Sequence, residues 1–285
     1  MALESFNCKK PIELLTKKET EVIHKKSLEI LKETGAVFHW GPALKALKSA
    51  GCNVDFTSHL VKFPEDIVEH ALKECPCSFS VKARNSAYDL KFENDRVYFA
   101  TQAAPSLYDL NTGKRRPGTI KDITEITIIQ DALENVHAVF TSIEVLSDIP
   151  MQVQLEWVLA EQIRNTTKVI NGLGFNFCAS WHIEMAKAAG IELVGAFACA
   201  PPLTFTDDQC DGLMRFAREG WGSMMCSGIS CGATGPATIA GTLVQQNAEV
   251  LAALVLAQVV NPGVGFIYSV ESMHMDMRHG HEAIG

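Results

Sequence analysis

The densest set of groups able to do chemistry lies near the end of the chain, where Glu271, His274, Asp276, His279 and His281 fall within eleven residues. Imidazoles and carboxylates at this density are the donor types of a transition-metal site. The step from His274 to His279 is five residues and no second cluster accompanies it. The segment therefore reads as a solvated loop with no metal, and a metal-assisted hydrolase built on His274, His279 and His281 is the alternative. A second stretch, CGATGP from Cys231 to Pro236, reads as a tight turn before a helix. Backbone N–H groups at a helix N-terminus attract anions, which makes Cys231, Gly232 and Gly235 a candidate anion-binding turn. The bland alternative is that the two glycines only permit the turn and close packing. Cys231 as a nucleophile would need a histidine at catalytic spacing, and none is placed so.

These groups must be positioned by regular elements. The turn leads into a long helix expected over 236–260, with Pro236 at its first position and Asn261-Pro262-Gly263 closing it. Ile239, Leu243, Val244, Leu251, Leu254, Val255 and Val259 nearly encircle it, and Gln245, Gln246, Asn247 and Glu249 are the main polar interruption. Such a helix is buried on most sides. Upstream, the first ninety residues read as a small α+β cap, assigned to 1–95. Its helices are expected over 16–33, 42–50 and 64–73, with short strands within 54–63 and 79–92.

From Val97 onward the texture changes. Apolar segments VYFAT, VHAVFTSIEVL, KVINGLGF, LVGAFACAPPLTF, SMMCSGIS and GFIYSV alternate with helices expected over 120–134, 153–165, 181–189, 207–219 and 236–260. Six strands separated by helices argue for an α/β fold with a parallel sheet and helices outside. A doubly wound sheet and a (β/α)8 barrel both satisfy the alternation, and no G-x-G-x-x-G follows the first strand to favour a dinucleotide fold.

Composition bounds the function. At 285 residues and 47% hydrophobic, the chain can bury a large core. A net charge of -8 with no basic run excludes nucleic acid and an anionic membrane surface as expected partners. Nine scattered cysteines, with Cys75 and Cys77 the one close pair, read as free thiols in a reducing cytosol. The N-terminus lacks an apolar signal core, and no run is read as approaching the ~20 residues that span a bilayer. A soluble cytoplasmic protein is expected.

CGATGP followed by AGTLVQQNAEVLAALVLAQ and PG resembles the trimethylamine methyltransferase family. The likeness continues in weaker form over 15–285, through GCNVD (51–55), VKFPEDIVEHAL (61–72) and RNTTK (164–168). The resemblance implies a TIM-type (β/α)8 barrel over 96–285, here incomplete, since six strands do not close eight. A fragment lacking the last two or three βα units is therefore expected. It implies transfer of a methyl group from a small methylated amine to the Co(I) corrinoid of a cognate partner protein, with no cofactor bound tightly by this chain. A quaternary amine such as glycine betaine is favoured. The family's trimethylamine enzymes carry pyrrolysine, at a position that would fall beyond Gly285. An inactive amine-binding remnant is a further alternative, and a homo-oligomer is compatible with so apolar a chain.

In such a barrel the working residues end the strands. Reading each strand to its end gives Thr101 and Gln102, Ser142 and Glu144, Asn171 and Asn176, Cys199, then Ser227, Ser230 and Cys231, and finally Ser269, Glu271 and His274. A quaternary cation without N–H donors is held by aromatic faces and carboxylates in a site that excludes water. The aromatic candidates are Phe175, Phe177, Trp181, Phe205 and Tyr268, with Glu144 or Glu271 as the carboxylate; Tyr268 and Glu271 lead. The substrate-binding set is thus Tyr268, Glu271, His274, Gln102, Glu144 and Phe175. A betaine carboxylate would suit the Cys231–Gly235 turn. Phe99, Phe140 and Phe197 are read as core, and no residue is given a catalytic role.

Overall fold

The structure, a computed structural model, describes residues 5–7, 12–102, 106–109, 111–140 and 146–283. Among them are eight α-helices: α1 (Lys17–Glu33), α2 (Gly41–Ser49), α3 (Glu65–Glu74), α4 (Ile120–Ala132), α5 (Gln154–Asn165), α6 (Ala179–Ala189), α7 (Asp207–Glu219) and α8 (Ile239–Val260). The residues form two compact units, one of residues 1–10 and 77–195, the other of 11–76 and 196–285. The grouping is not sequential, so the boundary expected at 95/96 falls inside the first unit.

The second unit is organised around α8. Its side chains are buried almost continuously from Ala248 to Gln258, and it packs against α1, α2, α3 and α7 on one side and the strands Ser223–Ser227 and Phe266–Val270 on another. These two strands pair in parallel with Ser223 opposite Phe266 and Ser227 opposite Val270. Buried Ser27 of α1 ties the helices together by donating to the Val244 carbonyl at 2.9 Å. By length and composition α8 is apolar enough to cross a membrane, which corrects the expectation that no run approaches that length. The corresponding window is 72% buried inside the protein, the behaviour of a core helix.

The N-terminal part of this unit follows from local signals. Thr16 and Glu19 form a reciprocal capping box at the start of α1. Gly35 ends it with φ +83, where a Cβ would stand 2.4 Å from the Val61 carbonyl oxygen. A four-stranded sheet then runs Thr204–Phe205, Ala36–Phe38, Leu60–Lys62 and Asn53–Asp55. Its first strand is unforeseen, because LVGAFACAPPLTF reads as one strand. The chain instead leaves Leu193–Ala198, turns through Leu203 at φ 49, and pairs Thr204 and Phe205 in parallel with Val37 and Phe38. Phe205 stacks on Phe38 with centroids 4.5 Å apart, which offsets the broken strand by burying two rings.

In the first unit, α4 packs on α5 and α5 on α6. Ile123, Leu146 and Val158 form a buried cluster, with Ile120, Ile126 and Ile149 against it. Thr119 and Asp122 make the capping box of α4. Arg116 grips Asp122 through two bonds of 2.7 Å, and this pairing holds the carboxyl well below the usual carboxylate range. At the other end of α4, buried Lys168 donates from Nζ to the carbonyls of Gln130 (2.9 Å) and Leu133 (2.7 Å). The RNTTK stretch is therefore a cap that closes α4, and Asp131 completes it by accepting from Thr166 and Thr167.

Parallel strands Ala138–Val139 and Val169–Leu173 pair beside these helices. The strand expected over 97–101 reduces to a single parallel bridge from Ala100 to Ala138. Arg96–Val97 pairs antiparallel with Phe6–Asn7 instead. This leaves Phe99 exposed, against the reading of it as core. Residues 141–145, the end of the strand expected over 136–146, lie outside the described residues. The fold is thus mixed α/β with parallel strands, and among the described residues no closed barrel forms.

Candidate functional site

Successive side chains of a strand point to opposite faces, so the register of Ser223–Ser227 with Phe266–Val270 sorts the candidates. On one face lie Ser223, Met225 and Ser227 with their partners Phe266, Tyr268 and Val270. This is the face toward α8. Here Glu249, fully buried, accepts four hydrogen bonds. They come from Ser227 Oγ at 2.6 Å, Cys199 Sγ at 3.0 Å, the Leu203 amide at 2.9 Å and Gln245 Nε2 at 2.9 Å. Both carboxylate oxygens are saturated, which is what a buried charge requires. Burial, followed by the neighbouring Glu249 charge, pushes the Cys199 thiol far up, which disfavours the thiolate.

The cap Thr238 and three polar groups of α8, Thr242, Gln245 and Glu249, form one stripe, spaced by four, three and four residues. Thr238 caps the helix by accepting from the Gly241 amide, so α8 opens at Ile239, three residues later than Pro236. Thr242 donates to the Pro236 carbonyl at 2.9 Å and meets Cys231 Sγ at 3.1 Å. Gln245 also reaches the Thr234 carbonyl. The turn is thereby fastened to the helix flank. The Gly232 amide points at the Gly235 and Pro236 carbonyls and those of Ala233 and Thr234 at Ser230, so these donors close the turn on itself. Gly235 has a packing reason, since a Cβ there would stand 2.3 Å from Ile229 Cγ2.

On the opposite face lie Met224 and Cys226 with their partners Ile267 and Ser269. Glu271 follows directly and brings Oε2 to 3.8 Å from Cys226 Sγ. The Cys226 thiol is pushed up by burial and then by the Glu271 charge. The two loops beyond these strand ends are fastened together. Glu271 and Met273 donate their amides to the Ser227 and Ile229 carbonyls, Ser230–Cys231 pairs with Met273–His274, and Met273–Asp276 pairs back with His281–Glu282. The solvated loop expected after Glu271 is therefore a three-stranded layer, with Ser272 Oγ anchored to Gln246 of α8 at 2.8 Å.

The candidates thus separate. Glu271 and Cys226 share a face, while Tyr268 sits on the other, its hydroxyl 3.3 Å from Asn247 of α8 and its pKa pushed up to about 12 by desolvation. His274 pairs across from Cys231 in the outer layer and is exposed. Phe205 is core. Gln102 and Phe175 belong to the first unit, where Phe175 and Phe177 are 43% exposed and Asn176 and Phe177 hold left-handed φ values of 52 and 58. Two consecutive non-glycine residues in that region store backbone strain at a strand's carboxyl end. Glu144 lies outside the described residues. The residue that sequence reasoning missed is Glu249, whose signal was a carboxylate on the polar stripe of an otherwise apolar helix.

The sequence profile of the family described as trimethylamine methyltransferase (MTTB) matches residues 3–285. The chain is 32% identical over 286 residues to the glycine betaine methyltransferase of Desulfitobacterium hafniense (strain Y51), covering 95% of this chain and 58% of that protein. It is 31% identical over 278 residues to the trimethylamine methyltransferase MttB of Desulfitobacterium hafniense (strain DSM 10664 / DCB-2), covering 94% and 56%. With the trimethylamine methyltransferase MttB of Methanosarcina thermophila the identity is 28% over 301 residues, covering 100% and 62%. The chain spans less than two thirds of the length of these relatives. With a profile match along nearly its whole length, the chain belongs to the trimethylamine methyltransferase (MTTB) family.

Proposed function

We propose that the whole protein moves a methyl group from a quaternary amine, glycine betaine or a close analogue, to the Co(I) corrinoid of a separate partner protein in the cytoplasm. The observation that carries this reading is the match to a glycine betaine methyltransferase across 95% of the chain. The sequence division into an N-terminal α+β cap (1–95) and a (β/α) barrel begun by 96–285 fits it, because βα alternation continued to eight units would close around the open face that bears Cys226 and Glu271.

The chemistry asks little of side chains. The C–N bond breaks with its electron pair staying on nitrogen, the Co–C bond forms, and the amine departs neutral with no proton to supply. The corrinoid is the accepting substrate, so this chain's residues act on the amine: Glu271 attracts the cation, and walls such as Ile267 and Met224 keep water from it.

The test is loss of the cob(I)alamin absorption band when the full-length gene product is mixed with cob(I)alamin and either amine. Loss with glycine betaine alone establishes the quaternary-amine activity. Loss with trimethylamine alone overturns it in favour of the reaction named for the second relative. Loss with neither overturns the proposed substrate.

A further inference from the structure

The outer hairpin holds a group of side chains that the methyl-transfer reading does not use. Asp276, His279 and His281 bring one ligand atom each to within 4.8 Å of one another. The arrangement follows from the hairpin. Asp276 and His281 are directly paired across Met273–Asp276 and His281–Glu282, so their side chains share a face. Gly280, at φ +70, turns the chain tightly enough to fold His279 back over the same face. The two imidazoles stack with centroids 5.9 Å apart and planes 17° from parallel. Asp276 accepts amide hydrogen bonds from Arg278 and His279, and its Oδ2 is 2.7 Å from His279 Nδ1. The turn is thus held with its donors converged before any ion arrives.

We propose that Asp276, His279 and His281 bind one divalent transition-metal cation of the zinc class. Two borderline imidazole donors with one carboxylate suit zinc and its neighbours and are poor for magnesium, which demands an oxygen octahedron. The histidines are exposed, so the fourth position is open to water. An ion there would pin the tip of the hairpin whose base is fastened to the loop after Ser227, stiffening the layer beside Glu271. The inference is independent of the proposed reaction.

The test is equilibrium dialysis of the 285-residue chain against Zn2+ and, separately, Mg2+, beside the variants His279→Ala/His281→Ala and Asp276→Asn. The wild type should retain one Zn2+ equivalent more than the double variant and no matching Mg2+. Asp276→Asn, which keeps the shape of the turn, should weaken Zn2+ by about tenfold or more. Because free cysteines also take up zinc, the extra equivalent is examined with Co2+: visible bands without a thiolate charge-transfer band support the site. Equal zinc retention in wild type and double variant, equal uptake of Mg2+, or a thiolate band for the extra equivalent would each overturn it. Unchanged circular dichroism of the variants establishes that the turn, and not the fold, was altered.

Discussion

The two faces of one strand pair carry two carboxylates in opposite circumstances. Glu249 is sealed beneath α8, with both oxygens saturated by Ser227, Cys199, Leu203 and Gln245. Glu271, on the side away from α8, stands beside a half-buried thiol at the end of its strand. A charge whose every lone pair is satisfied internally has nothing left to offer a ligand, and its work is to fix the strand ends. A carboxylate exposed at a strand end, as Glu271 is, can meet a cation from solvent. The more conspicuous polar cluster is therefore scaffold, and the strand end that carries Glu271 is the place to look for chemistry.

The largest expected effect is that of Glu249→Ala, which removes the acceptor of the Leu203 amide, Ser227 Oγ and Cys199 Sγ and leaves Gln245 only the Thr234 carbonyl. Urea unfolding should show a loss of about 3 kcal/mol or more. Next in size, Gly235→Ala forces a methyl group against Ile229 and Gln245 and should cost about 2 kcal/mol by the same measurement. Glu271→Gln should behave inversely to the Glu249 variant. Stability should stay within about 0.5 kcal/mol, while kcat/KM for the quaternary amine in the full-length enzyme falls by about tenfold. The same change removes the charge that helps raise the Cys226 pKa. Peptide-resolved alkylation of Cys226 at a fixed mildly alkaline pH should therefore run faster in the variant. The smallest effect belongs to Tyr268→Phe, whose hydroxyl faces Asn247 on α8. Neither stability, beyond about 0.5 kcal/mol, nor amine affinity should move, and a large loss of affinity would return Tyr268 to the site.

Helices were the legible part of the chain. Caps and periodicity put α1, α4 and α7 within two residues of their observed ends. Where the reading slipped, a longer-range partner decided the outcome. Pro236 looked like a helix start, but its carbonyl is taken by Thr242, and Thr238 supplies the cap. LVGAFACAPPLTF looked like one strand because its apolar run is unbroken, yet Phe205 is drawn to Phe38, far away in sequence. Tyr268 and Glu271 lead the sequence reading as an aromatic face and a carboxylate at one strand's end, whereas facing depends on the parity of the strand and on which side α8 covers. Glu249 was visible as a charge in an apolar helix. What it meets there, at Cys199 and Ser227, is set by register and has no local signature.

The burial of α8 bears on how the polypeptide is made. Helices α1, α2 and α3 leave the ribosome early, yet the helix they pack around is among the last of the described elements to emerge. Their apolar faces must wait without their partner while the whole intervening α/β region is translated. When α8 does appear it carries enough hydrophobicity to be mistaken for an insertion signal. Packing of α1, α2 and α3 onto α8 as it emerges would bury that apolar surface at the step where the nascent chain is most exposed to aggregation.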